Sequence, residues 1–155
     1  MSNLKRRMIF TTIAGAFALT IATVPAGASS APIEHFTAVE TSFNGLTTVV
    51  AAGPISAVGT DIESTNHKGV FAFPDGTLTA KHQAVTRKDT FDSRTCVFTS
   101  NETGTYTIVK GSGAYAHASG SGTYNSSVVG QGCDHNQPPT VFVLTISGHG
   151  PLSLG

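Results

Sequence analysis

Beyond residue 29 the chain is built from short runs of β-branched, aromatic and alternating residues separated by glycine, proline and asparagine, with no stretch of helical period. The densest pattern is residues 104–124, GTYTIVKGSGAYAHASGSGTY. Thr105 to Val109 form an unbroken β-branched and aromatic row, which suits a pleated, half-buried surface. Gly111-Ser112-Gly113 and Gly120-Ser121-Gly122 interrupt that row, and Thr123-Tyr124 opens the next strand. Glycines so placed mark bends or close backbone approach.

The remaining elements follow from the same reading. A strand over 33–43 and a return over 46–52 flank Asn44-Gly45, which predicts a two-residue type I′ hairpin turn. Gly53-Pro54 starts a strand over 55–64, where Asp61 and Glu63 share a face with Ile55, Ala57 and Gly59; neither face is cleanly apolar, and two solvated carboxylates are the expectation. Strands over 67–73 and 77–86 flank a turn at Pro74-Asp75-Gly76. In the second of these, Leu78, Ala80, His82 and Ala84 share one face, so His82 stands among small apolar residues. It is the first candidate for a polar group inside a cavity, against the plainer reading of a core histidine satisfied by a carbonyl. Residues 87–94 mix charges and read as a solvated loop, 95–99 as a strand holding Cys96, and 100–103 as a turn. Val141 to Ile146 is apolar on both parities, which predicts a strand covered on both faces, with 148–155 trailing off.

About eight strands with short sequential connections predict an all-β fold, an antiparallel eight-stranded up-and-down barrel, with a β-sandwich as the alternative. The 155 residues carry 9 Lys+Arg against 9 Asp+Glu, a balance without the basic surplus that phosphate neutralisation needs, so no nucleic-acid partner is expected. Gly111-Ser112-Gly113-Ala114-Tyr115-Ala116 fits the dinucleotide fingerprint G-x-G-x-x-G/A. It lacks room for the helix whose N-terminus would hold the pyrophosphate, and no cofactor is expected.

The N-terminus reads as an export signal. Lys5, Arg6 and Arg7 precede a weakly apolar run and the small residues Ala26-Gly27-Ala28, so cleavage is expected between Ala28 and Ser29, leaving a secreted or cell-envelope domain over 29–155 with no stable membrane insertion. Arg6-Arg7 leaves the twin-arginine route open beside the general one. In an oxidising compartment Cys96 and Cys133 are expected to pair. The alternative, a metal site of Cys96, Cys133 and His135, lacks ligand spacing, and no metal is expected. Asn101 and Asn125 each open an N-x-S/T acceptor pattern.

The spacing Gly104-x-Tyr106-x-Ile108, then Gly111-Ser112-Gly113-x-Tyr115, then Gly120-x-Gly122-x-Tyr124, resembles the strand-turn-strand signature of the allene oxide cyclase and dirigent-like barrel superfamily, and in particular its small secreted bacterial members. The resemblance implies a calycin-like eight-stranded barrel, assembly into homo-oligomers, and a cavity for a hydrophobic or phenolic molecule. Ala114 stands where a basic residue is usual in that signature, and no catalytic residue carries over. Three readings stay open. A barrel binding a small hydrophobic molecule predicts a cavity lined by the Leu78, Ala80, His82 and Ala84 face with Tyr106 and Tyr124 nearby. A cyclase or isomerase would add an inward acid or base, for which His82, Asp61 and Glu63 are the candidates. A structural surface module would have a filled interior.

Overall fold

The computed structural model describes residues 30–155 except 66 and 135, and at 63–65 the backbone alone. The expected cleavage site, Ala28 and Ser29, lies outside the described residues, as does His135. Eight strands, β1 (Ile33–Glu40), β2 (Thr47–Ala52), β3 (Ser56–Thr65), β4 (Lys68–Phe73), β5 (Gly76–Asp92), β6 (Val97–Gly111), β7 (Ser119–Gln131) and β8 (Val141–Ser153), pair antiparallel in sequence order. β8 returns to β1, with Ile33 opposite Pro151 and Glu40 opposite Leu144, so the sheet closes into the expected barrel and leaves no edge strand among the described residues.

Alternation places one parity of each strand inward. In β1 Glu34, Phe36 and Ala38 are buried between exposed neighbours, and in β2 Val49 and Ala51 are. The connections β2–β3, β4–β5 and β6–β7 gather at one end, which is packed shut. There Ile55, Leu78 and Leu152 are fully buried, and Tyr115, on a 3-10 turn (Gly113–Tyr115), sets its ring edge-on to Phe73 at 6.1 Å. The 3-10 turn is the one helical element among the described residues, and it is too short to seat a dinucleotide.

At the other end β5 to β8 outrun β1 to β4, and several expectations fail there for identifiable reasons. Residues 87–94 are no loop: β5 continues to Asp92, its Arg87, Asp89 and Phe91 facing Glu102, Ser100 and Phe98 of β6. The register shifts between Ala84 and Thr86, a bulge that spoils the alternation on which the sequence reading depended. Residues 100–103 are likewise interior to β6, whereas Cys96 lies in the β5–β6 turn with a positive φ of 56°. Cys96 and Cys133 are bonded, as expected, with Cα atoms 4.9 Å apart, tying that turn to the β7–β8 connection. β8 runs on to Ser153, so 148–155 do not trail off, and Val141 and Val143 are half-exposed, so the strand is covered on one face.

The Asn44-Gly45 turn also differs. Six residues separate β1 from β2, and only Asn44 has positive φ, 56°, where a type I′ turn needs two such residues. Glu40 explains the longer path: its carboxylate accepts from the Gly45 N–H at 2.9 Å and the Thr47 hydroxyl at 3.0 Å, while Gly45 N–H also donates to the Ser42 carbonyl at 2.8 Å.

Candidate site in the barrel cavity

Two Gly-Thr-Tyr tripeptides build one wall. β6 and β7 run antiparallel with Gly104 opposite Tyr124 and Tyr106 opposite Gly122, so each tyrosine ring lies across the glycine of the neighbouring strand. A Cβ at 104 would stand 2.5 Å from Tyr124 Cε1, and one at 122 would stand 2.7 Å from both Cε1 and the hydroxyl of Tyr106. The glycines are required here by the rings and, more closely still, by the main-chain carbonyls of Gln83 beside Gly104 and His149 beside Gly122, and the rings, buried on the inner face, bound the cavity.

That cavity measures about 230 Å³ and opens at the end where β5 to β8 project. Its walls are mostly apolar: Phe36 and Ala38 from β1, Val49 from β2, Phe71 from β4, Leu144 and Ile146 from β8. Phe36 sits 5.7 Å from Phe71 and edge-on to Tyr106 at 6.1 Å, a fixed aromatic floor.

Polar groups cluster toward the mouth. The Tyr124 hydroxyl donates to Glu102 Oε1 at 2.6 Å, and burial followed by that bonded carboxylate pushes the phenol well above its ordinary value. The phenol therefore stays protonated as a fixed donor to Glu102. His82 presents its ring edge-on to Tyr124 at 5.8 Å and lies 6.0 Å from the His67 ring, while its backbone N–H donates to the His67 carbonyl at 2.9 Å. Burial, then the neighbouring His67, lowers the His82 pKa against the opposing pull of Glu102, so His82 is neutral at pH 7.

The β5 bulge sets the outer part of the cluster. Past it Arg87 takes the inward parity and faces Glu102, with its Nε 3.0 and 3.1 Å from the two oxygens of Asp89 and its NH1 3.9 Å from Glu102 Oε2. A second register shift, between Asp61 and Glu63, places the Val70 N–H where Asp61 Oδ1 accepts it at 3.2 Å, and Asp61 lines the cavity. The expectation of a solvated carboxylate at Asp61 is corrected accordingly.

Four sequence candidates, Asp61, His82, Tyr106 and Tyr124, thus meet in one cavity. The side chain of the fifth, Glu63, lies outside what is described. Leu78 belongs to the packed end, and Ala84, next to the bulge, is exposed, so neither lines the cavity as anticipated. Glu102 is absent from the sequence candidates because 100–103 carry turn-type residues. The signal was available: it shares parity with Gly104, Tyr106 and Ile108, so extending that strand two residues places it inward.

The closed end holds a different carboxylate. Glu34 is fully buried, and accepts from the Ile55 N–H at 2.7 Å and the His35 N–H at 3.2 Å; burial raises its pKa while these backbone donors pull it down. Its oxygens are spent on main-chain donors of the β2–β3 turn and of β1, which makes it a structural group. Among the described residues no three His, Cys, Asp or Glu are grouped to hold a metal ion. No family model matches the chain, and no curated protein or solved structure is significantly similar to it.

Proposed function

We propose that this protein is an exported binding protein whose barrel takes up one small, mainly apolar molecule through its open end. The observation that carries this reading is the cavity itself: an aromatic-lined space of about 230 Å³ with its polar groups collected on one side, in a barrel otherwise packed shut. An apolar cavity of about 150 Å³ accommodates benzene, so this one suits a single ring with a short substituent. The disulfide at the mouth supports export, because such bridges persist in oxidising compartments. The Gly-x-Tyr spacing behind the superfamily resemblance has a packing explanation of its own, so the cavity rather than the resemblance supports the reading.

The test is a binding screen of the purified protein by ligand-observed NMR, using single-ring compounds with short polar substituents, and Phe36→Trp to fill the cavity. Saturable binding that Phe36→Trp abolishes without loss of folding is expected. Absence of binding across the set would overturn the reading.

A second reading, proton-transfer isomerisation, is favoured by one observation, a neutral His82 beside the Tyr124–Glu102 pair. It requires solvent deuterium to enter a bound ligand in D2O, and that exchange to vanish in His82→Gln.

A further inference from the structure

The two tyrosines of the glycine wall differ in one respect that bears on the molecule proposed above. Both line the cavity and both are buried, Tyr106 at 8% and Tyr124 at 7% exposure. The Tyr124 hydroxyl gives its proton to Glu102, whereas the Tyr106 hydroxyl meets no hydrogen-bond partner among the described residues. Among those residues no side-chain oxygen or nitrogen sealed from solvent lacks a partner, so the Tyr106 oxygen opens on the cavity space.

That oxygen belongs to the floor rather than the mouth. Tyr106 stands farther along β6 toward the closed end than Glu102, its ring lies over Gly122, where a Cβ would come 2.7 Å from the hydroxyl, and Phe36 sets its ring edge-on at 6.1 Å. The nearby carboxylates do not take its proton: Glu34 accepts from the Ile55 and His35 N–H groups, and Glu102 from Tyr124. Burial, then the charge of Glu34, holds the Tyr106 phenol above its ordinary value, so it stays protonated at neutral pH.

A lone donor on an apolar floor discriminates between guests that fill the floor equally well. A hydrocarbon leaves the proton without an acceptor. A guest hydroxyl accepts it but brings a proton of its own, and two facing hydroxyls leave one proton over. A carbonyl oxygen accepts with two lone pairs and brings none.

Resting on the binding reading, we infer that the Tyr106 hydroxyl is the specificity-determining contact of the cavity, and that the guest is a small neutral carbonyl compound, of the ketone or aldehyde class, whose oxygen lies against it. The rings of Phe36 and Phe71 take the apolar body.

The experiment titrates the purified protein and Tyr106→Phe, which removes the hydroxyl and keeps the ring, with three probes of matched shape: acetophenone, 1-phenylethanol and ethylbenzene. By NMR, Tyr106→Phe is expected to weaken acetophenone by about five-fold or more and 1-phenylethanol by less, and to leave ethylbenzene within about two-fold. Acetophenone labelled with 13C at the carbonyl adds a readout that a merely structural role would not move. Its bound resonance should lie downfield of its position in hydrocarbon solvent, and Tyr106→Phe should return it there. Should Tyr106→Phe fail to fold, the downfield shift in the wild-type protein, with cross-relaxation between the guest and the Tyr106 ring protons, carries the same test. If the probes bind but Tyr106→Phe weakens acetophenone and ethylbenzene alike, or the carbonyl resonance never moves downfield or keeps its shift in the variant, the inference falls and the binding reading stands. If none of the three binds, both fall.

Discussion

Glu34 and Glu102 are both inward-facing carboxylates of one barrel, and they differ in what occupies their oxygens. At the closed end Glu34 is wrapped by backbone N–H groups among fully buried Ile55, Leu78 and Leu152. At the open end Glu102 meets one phenol and a guanidinium beyond bonding distance, beside empty space. A carboxylate whose partners are all main chain holds a turn in place. One whose partners are side chains beside a void retains capacity for a guest.

The contrast is sharpest in packing. Leu78→Ala, at a fully buried position, should cost about 4 kcal/mol, whereas Leu144→Ala, on the cavity wall, should cost about 1 kcal/mol because the space beside it is already open. Urea denaturation of both variants measures the difference, and equal losses would mean that the two ends are packed alike. Next, Glu34→Ala should lose about 3 kcal/mol, since the Ile55 and His35 N–H groups would be left without their acceptor, while Glu102→Ala should leave the denaturation midpoint nearly unchanged and weaken ligand binding. The smallest effect is that of pH, with opposite signs at the two ends. His82 titrates lower in the folded chain than in the unfolded one, so its contribution is complete above an ordinary value of 6.5 and is lost as pH falls through it toward the folded pKa. Glu34 titrates higher when folded, so its contribution is complete below 4.5 and is lost as pH rises from there to the folded pKa. Melting temperatures of His82→Gln and Glu34→Gln against pH separate the two slopes.

The barrel was legible because alternation and turn residues are local properties. Leu78, Ala80 and His82 show the inward face of β5 in three consecutive even positions, and the glycine-bounded run shows β6 and β7. The projecting end was not legible, because its strands carry charges on the inner parity and a bulge at Ala84/Thr86 resets that parity midway. Arg87, Asp89 and Glu102 therefore looked like loop and turn residues. The Asn44-Gly45 connection departs from the two-residue turn for a related reason, since Glu40, a side chain several residues away, decides its path. Much of the site was visible as types on one face, while the Tyr124–Glu102 pairing depended on a register that only the folded sheet supplies.

The facing Gly-Thr-Tyr tripeptides also separate the volume available to a guest from the residues a guest would touch. A single methyl added at 122 would press on both the His149 carbonyl and the Tyr106 ring, and one at 104 on both the Gln83 carbonyl and the Tyr124 ring. Neither glycine lines the lumen, yet each sets how far a tyrosine leans into it. The width of this wall is therefore fixed by main-chain spacing beneath the tyrosines as much as by the side chains that face the lumen.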